Sequence, residues 1–487
     1  MTSAMGSEGG STAIPPVRKL TMLSRLSFGF GSVAYGIKDG GFATFLLLFY
    51  NQVVGLPAAA VGAVIAAVLV MEAFADPLVG FLSDHTQGRW GRRHPWMYAS
   101  ALPIALGWVM LWNPPSGWSD GALLGYLFCS ALLVRLALSA FEIPSAAMGP
   151  ELSTDYDERT RLFSYRYLFA WSGGLAMLAL SYAIFLVPDA THPIGLQNPN
   201  GYARMAAFGA VAMFVAIIGS SIGLHPEIKH LPRHVPTGEG GAAHFRAFAQ
   251  TVRNRGFIIL MIAGVFAYTA QGVSFALSNY LYQFVWHMKG GDFQWLTAAL
   301  FGGAVTAFIV APRVSRTGDK HRIGAAFAIA NAVLITSPYF LRLLGVFPPP
   351  ESPIALPLLL TIFAANTACG ISSMIIGAAM LSDVVEESEM RTGRRSEGVF
   401  FAGSFFVQKL VGGLGTLLAG TILSLVAFPA AAVPGSVPAE TIDRLVLVFA
   451  GVLLFFFLCG AYAYSRFPFG RAEHAARLAE LKAQGAA

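Results

Sequence analysis

The sequence predicts an all-α membrane protein of about twelve transmembrane helices, and three observations carry that expectation. Hydrophobic residues fill 55% of the 487 positions and charged residues only 12%, against roughly 25% charged in an ordinary soluble domain. Apolar stretches of roughly 20 residues, long enough to cross a hydrocarbon core of about 30 Å, recur from one end of the chain to the other. Basic residues collect in alternate connections, which is the signature of a multi-pass topology.

The first residues, MTSAMGSEGGSTAIPPVR, are rich in Ser, Gly and Pro and lack an apolar core or a small-residue cleavage site, so they read as a disordered tail and not as a signal peptide. Apolar segments follow near 26–50, 58–83, 96–113, 121–149, 162–187, 204–224, 256–286, 294–312, 323–346, 354–382, 397–427 and 442–465. Arg89, Arg92 and Arg93 follow the second segment, Arg159 and Arg161 the fourth, Arg313, Arg316, Lys320 and Arg322 the eighth, and Arg391, Arg394 and Arg395 the tenth. The odd-numbered connections carry few Lys or Arg, so the positive-inside rule places both termini and the basic loops in the cytoplasm of a bacterial inner membrane. The net charge of +6 follows from that topology, and no nucleic-acid partner is expected. Cys129, Cys369 and Cys459 fall inside apolar runs, with neither a disulfide framework nor a metal spacing.

The stretch HPEIKHLPRHVPTGEGGAAHFRAFAQTVRNR between segments six and seven is polar and broken by Pro and Gly. It divides the chain into a cytoplasmic tail at 1–19, a six-helix bundle at 20–225, a cytoplasmic loop at 226–254, a second six-helix bundle at 255–468 and a cytoplasmic tail at 469–487. The halves echo each other. MGPELSTDYDERTRLFSYR after segment four matches MLSDVVEESEMRTGRRSEG after segment ten, and DHTQGRWGRRHPW has a weaker echo in RVSRTGDKHRIG. Two parallel six-helix repeats are what a major facilitator fold produces, with a substrate site near the midplane between them.

Charges inside membrane helices are costly and normally face a cavity or one another. Candidates are Asp39, Glu72, Asp76, Glu142, Arg166 and Lys409, whereas Lys38 and Arg135 read as lying nearer an interface or snorkelling towards it. Glu72 and Asp76 are four apart, so both carboxylates share one helix face. Two such anions need a bound cation, a proton or a basic neighbour, and Lys409 and Arg166 are the obvious basic neighbours. The alternative is that these charges merely pair and hold the helices in register. Pro77 and Pro144 each free a backbone carbonyl near a carboxylate or bend the helix for packing. The small residues of GSVAYG, of SGG at 172–174 and of LVGGLGTLLAG read as helix-packing positions. Asp84 with Arg89, Arg92 and Arg93 is spaced for an ion-pair latch at a helix end.

YGIKDGGFATFLLLFYNQVVGL, ADPLVGFLSDHTQGRWGRRHPW, FEIPSAAMGPELSTDYDERTRLFSYR and LSDVVEESEMRTGRRSEGVFFAGSFFVQK, in that order, resemble the glycoside-pentoside-hexuronide:cation symporters of the major facilitator superfamily, the branch that includes the melibiose permease. The resemblance implies cation-binding roles for Glu72, Asp76 and Ser139, solute-binding roles for Lys38, Asp39, Glu142 and Arg166, and a coupling role for Lys409. It also implies cytoplasmic gating by Asp84, Arg89, Arg92, Arg93, Arg391, Arg394 and Arg395. Departures from the melibiose type are Glu72 for Asp, Ala75 for Asn, Leu69 where a basic residue stands and Ala146 where an aromatic one stands. They leave the coupling ion open between Na+ and H+ and withhold galactoside specificity.

The expected function is therefore symport of a sugar, glycoside or related solute by alternating access, by a monomer in the bilayer with no cofactor beyond the coupling ion and, apart from a Na+ at Glu72 and Asp76, no metal. A lysolipid or other amphiphile is the alternative solute, suggested also by the 38 Phe residues. A membrane sensor or enzyme is disfavoured. No Ser-His or His-Glu pair stands at catalytic spacing inside the apolar segments, and RAEHAARLAELKAQGAA is too short for a signalling domain.

Overall fold

A computed structural model describes residues 20–86, 88–153, 156–231, 254–315, 318–392 and 397–468. Among these residues the chain forms twelve helical rods. Rod α1 is assembled from Met22–Phe30, Ser32–Thr44, Leu46–Leu48 and a π-helical turn, Phe49–Val53. Then come α2 (Ala58–His85), α3 (His94–Leu111), α4 (Asp120–Leu152), α5 (Tyr156–Leu180, closed by a π turn at Ser181–Phe185) and α6 (Pro199–Leu224). The second set is α7 (Arg255–Tyr280, closed by a π turn at Leu281–Val285), α8 (Gly290–Val314), α9 (Lys320–Leu343), α10 (Ala355–Thr392), α11 (Glu397–Leu425) and α12 (Ala439–Ser465).

Ten of these rods are long and apolar enough to cross a membrane. The remaining two are α1, interrupted at Gly31 and Phe45, and the 18-residue α3, which opens on the polar sequence His94-Pro95-Trp96. The expectation of about twelve spans is thus met by ten uninterrupted helices and two atypical ones. Prolines 77, 103, 144, 150, 312 and 338 lie inside helices that continue through them. Each removes one backbone bond and leaves a carbonyl four residues earlier without its usual donor.

The packing repeats. In the first six helices the principal pairs are α1–α5, α1–α6, α2–α4, α3–α4 and α3–α6; in the second six they are α7–α11, α7–α12, α8–α10, α9–α10 and α9–α12. Adding six to each number converts one set into the other. Between the sets, α2 packs along α11 and, more briefly, α5 along α8, as the same symmetry requires.

Small residues set the closest crossings at matching places. A Cβ on Gly174 of α5 would lie 3.0 Å from the Gly36 carbonyl oxygen of α1. At the corresponding α7–α11 crossing, a Cβ on Gly415 would lie 2.6 Å from the Gly272 Cα. The runs read as packing positions therefore do bring helices together, because only glycine lets backbones approach this closely. Gly415→Val should force α11 off α7 and lower stability by about 1–3 kcal/mol. A melting temperature in detergent equal to the parent's would contradict this.

At the end opposite the basic loops, uncharged groups join the sets. Gln52, on the π turn of α1, donates to the Pro429 carbonyl at 3.0 Å and accepts from the Ala432 N–H at 2.8 Å. Gln197 donates to the Ala432 carbonyl at 2.6 Å, the Tyr280 hydroxyl donates to Asn51 Oδ1 at 2.9 Å, and the Tyr182 hydroxyl donates to Asn279 Oδ1 at 2.7 Å. Ala427 and Ala431 take left-handed φ values of 54° and 50° in the gripped loop, a conformation a non-glycine residue keeps only where its surroundings hold it.

Ion pairs tie helices within a set at that same end, where Arg342 of α9 reaches Asp443 of α12 at 2.7 Å, and at the basic end. Arg92 and Arg93 reach Glu151 Oε1 at 2.6 and 3.0 Å, and Arg93 reaches Asp84 at 2.5 Å. In the second set Lys320 reaches Asp383 at 2.6 Å. Glu151 ends MGPE and Asp383 ends MLSD, so the repeat read from the sequence places one acidic residue at the same point of each half. Of the loop read at 226–254, residues up to 231 and residue 254 are described. They include the 3-10 turn His225–His230, whose Glu227 accepts a hydrogen bond from the Ser24 hydroxyl of α1 at 2.8 Å. The tails at 1–19 and 469–487 lie outside the described residues.

Candidate functional site

Side chains from α1, α2, α4, α5 and α11 converge about midway along these rods. Helical spacing fixes who shares a face: Glu72 and Asp76 on α2, and Arg135, Ser139 and Glu142 on α4, lie three to four residues apart in sequence. Because α2 packs against both α4 and α11, its two carboxylates sit between Arg135 on one side and Lys409 on the other.

Arg135 Nη1 bonds Glu72 Oε2. Lys409 Nζ lies 2.5 Å from Asp76 Oδ2 and 3.4 Å from Glu72 Oε1. The second carboxylate oxygen of Asp76 and the hydroxyl of Ser139 are buried and have no hydrogen-bond partner. Glu72 and Arg135 are closed off from solvent, with 3% and 6% of their side chains exposed, while Asp76 and Lys409 keep 19% and 25%. A carboxylate and an amine that remain reachable can exchange partners; a fully enclosed pair cannot do so cheaply.

A second group lies around α5. Arg166 donates to the Ser145 hydroxyl at 2.8 Å and its other terminal nitrogen lies 3.9 Å from Glu142. Lys38 Nζ lies 3.7 Å from Asp39 and 4.6 Å from the centre of the Tyr35 ring. Adjacent helical residues point about 100° apart, and so Lys38 is buried while the Asp39 side chain is 56% exposed. Tyr35 is within electrostatic range of Asp39, Glu142, Glu72 and Arg135, and Lys409 is within range of Glu142. One cluster of four basic and four acidic side chains results, and it is open on the side of Asp39, Glu142 and Lys409.

The structure departs from the sequence reading at three residues. Arg135 is not at an interface: it is 5% exposed, its guanidinium lies 4.4 Å from the centre of the Phe42 ring, and its charge is met by Glu72. Lys38 is likewise enclosed, at 3%. Arg166, read as a neighbour for the α2 carboxylates, reaches Glu142 and Ser145 of α4 instead, where α4 and α5 meet.

Tyr35 and Ser145 were not singled out from the sequence, although both stand inside quoted motifs, three residues from Lys38 and Glu142. Of the predicted gating residues, Asp84, Arg92 and Arg93 join the α4 terminus, and Arg89 is exposed with its guanidinium 6.0 Å from the Trp90 ring. Arg394, Arg395 and the side chain of Arg391 lie outside the described residues. Among the described residues, no group of three or more His, Cys, Asp or Glu could hold a metal ion.

Residues 27–471 match the family described as MFS/sugar transport protein. The chain is 27% identical over 543 residues to a Synechocystis protein described as uncharacterized symporter sll1374, covering 96% of this chain and 97% of that one. It is 25% identical to the inner membrane symporter YicJ of Escherichia coli, with 85% and 84% of the two chains covered. It is also 25% identical to the putative glycoside/cation symporter YagG of Escherichia coli, with 89% of each covered. The inward-open xylose transporter XylE of E. coli superposes with a TM-score of 0.59 at 14% identity, over 94% of this chain and 98% of that one, which shows a shared fold.

Proposed function

Since this chain belongs to the MFS/sugar transport protein family, and within it to the glycoside-pentoside-hexuronide:cation symporters, we propose that it carries a sugar or glycoside into the cell together with a coupling cation, by alternating access. It is a multi-pass membrane transporter and not an enzyme. The reading places it as a monomer in the bacterial inner membrane, with the basic loops and both termini in the cytoplasm. No cofactor besides the coupling ion is required.

One observation carries the proposal: Lys409 of the second bundle bonds carboxylates of the first, Asp76 and Glu72, at a point where both bundles line the cluster. A cation that takes over Asp76 releases Lys409, so the charge state of α2 and the fit between α2 and α11 change together. Asp39 and Glu142, the more open carboxylates, can each accept two hydrogen bonds from vicinal hydroxyls, which is geometry that charge-assisted bonding rewards. Arg166 and Lys38 supply donors beside them. With the far end held by the Gln52 and Tyr280 bonds, this conformation is read as facing the cytoplasm. Substrate and cation raise each other's affinity by the same factor, as linkage demands.

Counterflow in proteoliposomes, with a panel of glycosides, uronides and lysolipids, tests the reading. Exchange of at least one sugar or uronide is expected. Exchange of a lysolipid alone would assign an amphiphile as cargo, and exchange of none would overturn symport altogether.

A further inference from the structure

The pair of carboxylates on α2 is the place where a Na+ ion would be sought, and the donor set there does not suit one. We propose that Arg135 withdraws Glu72 from the cation site and makes this transporter independent of Na+. The proposal rests on the symporter reading and concerns the ion alone.

A hard cation needs a shell of several oxygens. Glu72 Oε2 is engaged by Arg135, and both Glu72 Oε1 and Asp76 Oδ2 face Lys409. Asp76 Oδ1 and Ser139 Oγ are the buried oxygens left without a partner. Even when Lys409 withdraws, Arg135 stays. Its guanidinium keeps its charge at any physiological pH, it is 5% exposed, and the Phe42 ring lies against it at 4.4 Å.

Glu72 can then offer an ion one oxygen and never a bidentate grip. The ion would also have a fixed unit positive charge close by. At about 5 Å and an effective dielectric of about 20, such a charge lowers cation affinity by a factor of more than about one hundred. Position 75, beside Asp76, is Ala75 and supplies no side-chain oxygen in compensation. Arg135 thus acts as a permanent resident cation for half of the carboxylate pair, and Asp76 with Lys409 forms the half that can change partner. In this role Arg135 is a positioning residue that sets selectivity through Glu72.

Thermal unfolding of the purified full chain in detergent, in NaCl against choline chloride of equal ionic strength, tests the proposal without requiring a known solute. A ligand that binds the native state raises its melting temperature saturably. The wild-type curve should coincide in the two salts, and Arg135→Gln should gain a saturable rise in Na+ but not in choline. The double variant Glu72→Gln/Arg135→Gln should again show no rise, since the freed carboxylate is gone. A saturable Na+ response of the wild type overturns the proposal. An Arg135→Gln protein that folds and ignores Na+ overturns the role of Arg135. If that variant does not fold, the wild-type curves decide. Absence of transport of any solute would defeat the symporter reading and leave this measurement standing.

Discussion

Asp76→Asn is expected to abolish accumulation of solute against its gradient while leaving counterflow measurable. Asparagine cannot carry the charge that a cation or Lys409 neutralises, and of the two α2 carboxylates only Glu72, 3.4 Å from Lys409, then remains. The event that releases Lys409 loses its trigger, but Asp39, Glu142 and Arg166 still line the solute side. Solute in loaded vesicles should therefore approach equal concentrations inside and out. Half-saturation for solute should also stop responding to the ion gradient, where linked sites ordinarily couple by about 5- to 150-fold. Concentrative uptake by the Asn variant at the parental level would remove Asp76 from the coupling step.

The largest stability effect is expected from Glu72→Gln. Arg135 would stay charged, enclosed and without a carboxylate, and breaking a buried pair on one side costs about 3–5 kcal/mol. Removing Arg135 instead is expected to be milder, because Lys409 remains 3.4 Å from the abandoned Glu72 and Lys38 is within electrostatic range. The double variant should recover much of the loss, since no uncompensated charge remains. Thermal melts of the two single variants and the double form a cycle that isolates the pair. A double variant that is as unstable as Glu72→Gln alone would show that the damage came from packing and not from charge.

Much of this architecture was legible in the chain because the bilayer leaves few options. Long apolar runs in hydrocarbon can only become helices that satisfy their own backbone, and the likeness of MGPELSTDYDERTRLFSYR to MLSDVVEESEMRTGRRSEG marks matching points of the two halves, where Glu151 lies at the end of α4 and Asp383 inside α10. The intramembrane charges were legible for the same reason: hydrocarbon makes each of them conspicuous.

What could not be read was the pairing. A lone arginine such as Arg135 in an apolar run offers no sign of whether its stem runs to the surface or inward. The answer depends on α2 lying against α4, and Glu72 is 63 residues away in sequence. The partners of Arg166, Glu142 and Ser145 on α4, are hidden for the same reason: spacing along a chain does not say which helices touch. Asn51 and Gln52 raised no signal at all, since neutral amides near a helix end look like the start of any loop. The π turns that aim them come from the backbone and not from a recognisable residue pattern.

The Gln52 closure has a consequence for the surroundings in which such a transporter works. Dissolved ions screen attractions between exposed charges, with a Debye length of about 10 Å at 0.1 M and about 3 Å at 1 M. Bonds between an amide and a carbonyl carry no net charge to be screened. The face closed by Gln52, Gln197 and Tyr280 is the one read as outward, exposed to a medium whose salinity the cell does not set. In the same proposed orientation, the face of Arg92, Arg93, Glu151, Lys320 and Asp383 looks onto a cytoplasm whose ionic composition is regulated. In the proposed orientation, the bonds that join the two bundles on the outer face carry no net charge and so escape screening as the salinity of the habitat rises and falls.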